Sequence, residues 1–86
     1  MMDVSVQLSL YPLGQRDLSP AIQAVLDVLD ARGLPYQVGA MSTVTWGHDR
    51  AIFTALQEAF AAATEHGPAV MTITVSNACP EPRRPS

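Results

Sequence analysis

The sequence predicts an α+β domain in which strands and helices follow one another in the order βαββαβ. Three observations predict it: apolar and polar residues alternate in the first and last segments, two other segments carry apolar residues every three or four positions, and glycine or proline marks the boundaries. Right-handed crossovers then place both helices on one face of a four-stranded antiparallel sheet. This arrangement is the ferredoxin-like fold.

The first strand is predicted from Val4 to Leu10, where apolar residues alternate with serine and glutamine. Pro12 cannot donate to a strand ladder and ends it. A helix is expected to begin with Ser19 as its N-cap and to end at Gly33. The residues expected to form its apolar stripe are Leu18, Ile22, Val25, Leu26 and Leu29.

Two short strands are predicted next, Tyr36 to Val38 and Ser42 to Trp46, of which the second is rich in β-branched residues. A second helix is expected to begin at Asp49 or His48 and to stop at Gly67. Its expected buried stripe consists of Ile52, Phe53, Leu56, Ala59, Phe60 and Ala63.

The last strand is predicted from Ala69 to Ser76, with Met71, Ile73 and Val75 on the face toward the helices. Residues 1–80 are therefore expected to form one domain. Residues 81–86 hold prolines and arginines and are expected to be a disordered tail.

Length and composition limit the functions that this sequence can support. An 86-residue domain is marginally stable alone, and its single cysteine, Cys79, cannot form an internal disulfide. Oligomerisation is the usual compensation. A net charge of −3 without any lysine argues against nucleic acid and against docking on anionic membranes. No membrane span or signal peptide is evident, so a cytoplasmic location is expected.

The sheet face that the helices leave bare is predicted to be uncharged. The residues expected on it are Ser5, Gln7, Ser9, Tyr11, Thr43, Thr45, Val70, Thr72, Thr74 and Ser76. A solvated sheet face normally carries charged side chains. The pattern favours a covered face: a homo-oligomer packed sheet on sheet, a ligand pocket lined by hydroxyls and amides, or both. An ordinary solvated face with few charges is the remaining alternative.

Catalytic and metal-binding groups are sparse. His66 suits the last turn of the second helix, and His48 suits its start, where capping is a simpler role than that of a base. Cys79 has no neighbouring partner for zinc or redox chemistry, and the acidic residues are scattered. The sequence therefore predicts no enzyme activity, no metal and no cofactor.

Two further residues allow both a structural and a ligand-binding interpretation. Trp46, which is followed by glycine, either covers the core or presents its ring to an aromatic ligand. Asn77 either forms an Asx-turn after the last strand or hydrogen-bonds the edge of a heterocycle.

Three segments resemble the YkoF-like family, which binds thiamin and hydroxymethylpyrimidine. These are Ser9-Leu10-Tyr11-Pro12, Ser42-Thr43-Val44 followed by Gly47, and Ser76-Asn77-Ala78-Cys79-Pro80. The stretch Gly39-Ala40-Met41-Ser42-Thr43 is similar to the broader thiamine-binding family. The resemblance runs from about Val4 to Pro80, and the order and spacing of the segments make it more specific than each alone.

The resemblance implies a ferredoxin-like fold that binds thiamin or its pyrimidine moiety without catalysis, for uptake, salvage or buffering. Its matching segments imply ligand contacts at Ser9, Tyr11, Ser42, Thr43 and Asn77, with Trp46 added as a stacking candidate. YkoF-like chains usually carry two such domains, whereas this chain carries one. A homodimer or tetramer is therefore expected to replace the tandem pair. The alternative is a homo-oligomeric interaction module whose uncharged sheet face serves only for assembly.

Overall fold

A computed structural model of the chain describes residues 2–40 and 42–78. The elements are β1 (Asp3–Pro12), α1 (Ser19–Ala31), β2 (Tyr36–Val38), β3 (Thr43–His48), α2 (Asp49–Thr64) and β4 (Ala69–Ser76). The predicted βαββαβ order and ferredoxin-like fold are confirmed. Cys79 and the tail at residues 81–86 lie outside the described residues.

One antiparallel sheet holds all four strands in the order β2-β3-β1-β4. β1 pairs with β3 from Asp3 opposite His48 to Leu8 opposite Thr43. It pairs with β4 over a longer stretch, as far as Pro12 opposite Ala69. β1 therefore continues beyond the described end of its ladder with β3, and this difference creates the candidate site.

The core lies between the sheet and the two helices. β1 contributes Val4, Val6 and Leu8, which alternate along the strand and are fully buried. The helices contribute small and branched residues at helical spacing: Ala21, Val25 and Leu29 from α1, and Ile52, Ala55, Leu56, Ala59 and Ala63 from α2. Alanines along α2 let it approach α1 and the sheet closely.

The predicted glycine stop of α1 takes the form of a Schellman motif. Gly33 has φ of 67°, a left-handed conformation that lacks a steric cost only for glycine. Its N–H donates to the Asp30 carbonyl, and the Leu34 N–H donates to the Leu29 carbonyl at 2.9 Å. The prediction of Ser19 as N-cap is wrong: Leu18 occupies that position, and the Ser19 N–H instead donates to Asp17 Oδ1 at 3.0 Å.

Two threonines predicted on the bare face of the sheet point toward the helices. Thr43 lies opposite Leu8 and Thr45 lies opposite Val6, so both share the face of these core residues. Thr43 is 7% exposed and Thr45 is fully buried. The expected orientation of β3 was therefore off by one residue, which exchanges the two faces of a strand.

The apolar stripe of α2 is narrower than its sequence suggests. Phe53 and Phe60, which were expected in the core, are 49% and 40% exposed. The alanines beside them fill the contact with α1 and the sheet, so the aromatic side chains lie on the flank of the helix. That prediction was wrong for both phenylalanines.

Candidate functional site

A cleft of about 260 Å³ opens at one end of the sheet. At this end β1 still pairs with β4, but its described pairing with β3 has stopped at Leu8. β1 forms one wall, α1 covers it from the helix side, and the β2–β3 turn closes it. The described residues that line the cleft are Leu8, Ser9, Leu10, Tyr11, Ile22, Val25, Leu26, Val38, Gly39, Ala40, Ser42 and Thr43. This volume is close to the lower end of the range for small-molecule sites, which is roughly 300 Å³.

Hydrogen-bond geometry fixes which backbone groups of β1 face the cleft. The Leu13 N–H donates to the Pro68 carbonyl at 2.8 Å, and the Asp49 N–H donates to the Met2 carbonyl at 2.8 Å. Because hydrogen-bonded pairs alternate along antiparallel strands, odd-numbered residues of β1 turn their backbone groups to β4 and even-numbered residues turn theirs to β3. The described ladder with β3 stops at Leu8. By this parity, the N–H and C=O of Leu10, a residue that lines the cleft, turn to the β3 side of β1.

Thr43 is a nearly buried hydroxyl residue in the lining of the cleft. Its Oγ1 makes no hydrogen bond to the part of the chain that the structure describes, and yet the residue is only 7% exposed. No fully enclosed polar side-chain atom among the described residues lacks a partner, so this hydroxyl keeps some exposed surface, and Thr43 is one of the residues that line the cleft. Thr45 differs, because its Oγ1 donates to the Pro35 carbonyl at 2.8 Å.

Aliphatic side chains make up the remaining wall. Ile22, Val25 and Leu26 lie on one face of α1, and Val38 approaches from the end of β2. The turn between β2 and β3 is held by a 2.7 Å hydrogen bond from the Gly39 N–H to the Ser42 carbonyl. A Cβ at Gly39 would meet that carbonyl oxygen at 3.2 Å, so glycine lets the turn stay tight.

Four of the six residues predicted to contact a ligand line this cleft: Ser9, Tyr11, Ser42 and Thr43. The Ser42 hydroxyl also accepts a hydrogen bond from Gln7 Nε2 at 3.3 Å, which holds it on the bare face of the sheet. The structure brings these four together because the register sets the end of β3 beside the second half of β1.

Trp46 and Asn77 lie at the opposite end of the sheet. Trp46 is opposite Ser5 on β3, and Asn77 follows Ser76, which is also opposite Ser5 on β4. The Asn77 amide donates to the Met2 sulfur at 3.2 Å. Neither residue lines the cleft, and a small ligand held there would not reach them.

The described residues that line the cleft carry no charged side chain. Its polar groups are hydroxyls and backbone amides, and its other members are aliphatic. The charged pairs lie elsewhere: the Arg32 guanidinium donates to Glu58 between the helices, which lowers the pKa of that carboxyl. The Tyr36 hydroxyl donates to Asp30 at 3.0 Å, and this hydrogen bond raises the pKa of Tyr36. The cleft consequently favours a neutral, partly apolar ligand.

Sequence reasoning missed the aliphatic wall and the backbone of Leu10. Ile22 and Leu26 were assigned to the core stripe of α1, but Ile22 is among the exposed large apolar residues of the protein. The role of Leu10 depends on where the β3 ladder ends, which no local pattern encodes.

Among residues 2–40 and 42–78, no group of three or more histidine, cysteine or acidic side chains is placed to hold a metal ion. His48 occupies the N-cap position of α2, and its Nδ1 lies 2.8 Å from Asp3 Oδ1 in an exposed pair. Neither helix in this described part of the chain has the length and apolar character that a bilayer crossing requires.

Fold and cleft together define a small α+β domain with an uncharged, ligand-sized site at one end of its sheet. The model of the YKOF-related family matches residues 3–82, and the chain belongs to this family. No curated protein matches the sequence.

Solved structures share the fold at low sequence identity. A domain of unknown function from Bacillus cereus is 20% identical, with a TM-score of 0.77 over 87% of this chain and 75% of that one. A protein from Streptococcus pneumoniae is 22% identical, with a TM-score of 0.80 over 87% and 86%. A Thermotoga maritima protein, provisionally assigned to thiamine biosynthesis or salvage, is 20% identical, with a TM-score of 0.74 over 85% and 81%.

Proposed function

We propose that this protein binds thiamin or its hydroxymethylpyrimidine moiety in the cleft and releases it unchanged. The single observation that carries the proposal is Thr43, a nearly buried residue that lines an uncharged cleft and whose hydroxyl has no partner among the described residues. Membership of the YKOF-related family and the provisional assignment of the Thermotoga maritima neighbour to thiamine biosynthesis or salvage support the choice of ligand.

An aminopyrimidine presents alternating donors and acceptors along one edge. The N–H and C=O of Leu10 supply one donor and one acceptor on the same side of β1, and the Thr43 hydroxyl supplies a group that can do either. Ile22, Val25 and Leu26 offer an apolar surface for the face of the ring. We assign the pyrimidine to the cleft, with Ser9, Tyr11 and Ser42 at its mouth.

The lack of charged lining residues also sets the expected order of affinity. A phosphate ester would enter a site without a cationic partner, and burying an unpaired charge is costly. The thiazolium ring of thiamin would have to remain at the mouth of so small a cleft. We expect the unphosphorylated pyrimidine alcohol to bind at least as tightly as thiamin, and its phosphate to bind more weakly than either.

Calorimetric titration with thiamin, hydroxymethylpyrimidine and its phosphate tests the proposal. Saturable binding near one ligand per chain is expected for the first two, together with a higher Tm. A ligand at a hundred times its Kd stabilises the native state by about 2.7 kcal/mol. Absence of both heat and thermal stabilisation at such an excess would contradict the proposal. Unchanged ligand after incubation, checked by mass, separates binding from turnover.

The proposed role is cytoplasmic uptake, salvage or buffering of the vitamin or its precursor. A protein that only holds its ligand needs no acid–base pair. His48 pairs with Asp3 at the far end of the sheet and does not line the cleft.

The second candidate function is that of a homo-oligomeric interaction module, a dimer or tetramer packed through the bare sheet face. The observation that favours it is the composition of that face: beyond the Asp3–His48 pair at one end, the described strands place only uncharged side chains there. Ser5→Glu puts a carboxylate on this face, on the interior strand β1, and should separate such an oligomer into folded subunits. Retention of the oligomer by that variant would exclude the sheet face as the interface.

A further inference from the structure

A hydrogen bond between two side chains joins the cleft to the bare face of the sheet. Gln7 lies on β1 opposite Val44, and Ser42 comes two residues before Val44 in the chain. The two residues are therefore diagonal neighbours on one face, a separation that a long side chain can span. Gln7 Nε2 donates to Ser42 Oγ at 3.3 Å. Ser42 lines the cleft, whereas Gln7 is exposed and is not among the described residues of the lining.

The hydrogen bond from Gln7 determines how the Ser42 hydroxyl can interact with a ligand. A serine hydroxyl has one proton to donate and two lone pairs that accept. Because the amide N–H of Gln7 already points at the oxygen, the hydroxyl proton turns away from Gln7. A hydroxyl that accepts one hydrogen bond is also polarised into a better donor. This arrangement suits Ser42 as a donor to a group in the cleft.

The backbone of Ser42 is held independently of its side chain. Its carbonyl accepts a 2.7 Å hydrogen bond from the Gly39 N–H across the turn between β2 and β3. The next residue, Thr43, begins β3 and is paired with Leu8 of β1. With the backbone fixed in this way, the position of Ser42 Oγ depends on its χ1 rotamer alone. The hydrogen bond from Gln7 selects that rotamer, so its loss leaves the backbone in place and frees only the hydroxyl.

The geometry points to Gln7 as a positioning residue that makes the cleft specific for ligands with a hydrogen-bond acceptor facing Ser42. This role rests on the proposed function, and it narrows the ligand to pyrimidines whose ring nitrogen beside the exocyclic group is unprotonated. In an aminopyrimidine, that nitrogen accepts a hydrogen bond. In the corresponding oxo compound, the same nitrogen carries a proton, so two donors face each other and one polar group is left unpaired.

Calorimetric titration with two compounds tests this role: hydroxymethylpyrimidine and its oxo analogue, in which an oxo group replaces the amino group and the neighbouring ring nitrogen carries a proton. The wild type should bind the amino compound about tenfold more tightly, or better. Gln7→Glu keeps the size of the side chain but supplies a carboxylate, which accepts the Ser42 proton. Because Ser42 then offers the ligand only an acceptor, the preference for the amino compound should fall by about threefold or more.

Gln37→Glu is the matched control for the added charge. Gln37 is exposed and lies opposite Val44 on the other side of β3, so it shares the face of Gln7. The described hydrogen bond to Ser42 Oγ comes from Gln7 and not from Gln37. This variant should therefore keep the wild-type preference. Ser42→Ala supplies a second control: in that background Gln7→Glu should change nothing further, because both residues act through one hydrogen bond.

The possible results separate the role of Gln7 from the function on which it rests. A wild-type protein that binds neither compound overturns both. Wild-type binding of hydroxymethylpyrimidine, with the same preference in Gln7→Glu, overturns the role of Gln7 alone. An equal change of preference in Gln37→Glu, or an effect of Gln7→Glu that persists without the Ser42 hydroxyl, does the same. Should Gln7→Glu fail to fold, Gln7→Met takes its place: it keeps the length, lacks the donor and should lower the preference by freeing the hydroxyl to turn, and an unchanged preference would again refute the role.

Discussion

Replacing Thr43 with valine should weaken ligand binding without destabilising the fold. Valine keeps the volume of threonine and removes only the hydroxyl, which makes no hydrogen bond to the described part of the chain. No intramolecular bond is lost, and the valine suits a strand. The free energy of unfolding should therefore stay the same or rise slightly.

The expected loss of affinity follows from one hydrogen bond. A neutral hydrogen bond contributes about 0.5–1.5 kcal/mol net. This corresponds to an increase in Kd of roughly two- to twelvefold, since 1.4 kcal/mol is a factor of ten. Calorimetric titration of the wild type and the variant with hydroxymethylpyrimidine measures the ratio directly.

Thr45→Val is the matched control, because Thr45 has the same chemistry on the same face of β3, two residues away. Its hydroxyl donates to the Pro35 carbonyl at 2.8 Å and does not line the cleft. This variant should lose about 1 kcal/mol of stability, a Tm decrease of roughly 4–8 °C for a domain of this size, and keep its affinity. If Thr43→Val binds like the wild type, or if Thr45→Val weakens binding as much, the Thr43 hydroxyl does not contact the ligand.

Three other changes test different parts of the structure. Ile22→Trp should fill the cleft from α1 and abolish binding while the fold survives, because Ile22 is 40% exposed; titration of a folded variant with normal affinity would contradict the placement of the ligand. Arg32→Gln should raise the pKa of Glu58 toward 4.5, since the hydrogen bond from Arg32 holds that pKa below this value. In the wild type, the stabilisation from this pair is present above pH 4.5 and is lost as the pH falls through the lowered folded-state pKa; NMR titration of the Glu58 carboxyl measures the difference, and equal pKa values in both proteins would refute it. Gly33→Ala should cost about 1–2 kcal/mol, because φ of 67° strains any residue with a Cβ, and urea unfolding that shows no loss would exclude the Schellman stop as a source of stability.

Local sequence patterns were sufficient to predict the elements of this protein. The alternation in Val4–Leu10 and Ala69–Ser76 follows from the two-residue period of a strand, and the spacing of the two apolar stripes follows from the 3.6-residue period of a helix. The stop at Gly33 follows from the conformational freedom of glycine. All three causes act over a few residues. The rule that crossover connections are right-handed then leaves one arrangement of the strands and helices for the order βαββαβ.

The candidate site was predictable only in part. Ser9, Tyr11, Ser42 and Thr43 were named from resemblance, and the structure brings them to one cleft. Trp46 was added because a tryptophan before glycine can present its ring to an aromatic ligand, and it lies at the opposite end of the sheet. A short motif identifies a segment, but it does not report which end of the sheet that segment reaches.

Register and packing decided the features on which the proposed function depends. The sequence of β3 is compatible with burial of either of its faces, because threonine and valine both tolerate burial. Only the pairing of β3 with β1 decides that Thr43 and Thr45 face the helices. The alanines of α2 took the core positions and left Phe53 and Phe60 on its flank. Sequence by itself determined which segments are strands and helices, since those preferences act over a few residues. Tertiary structure decided where the ladder between β1 and β3 ends, and with it the cleft, because strand pairing joins residues that are far apart in the chain.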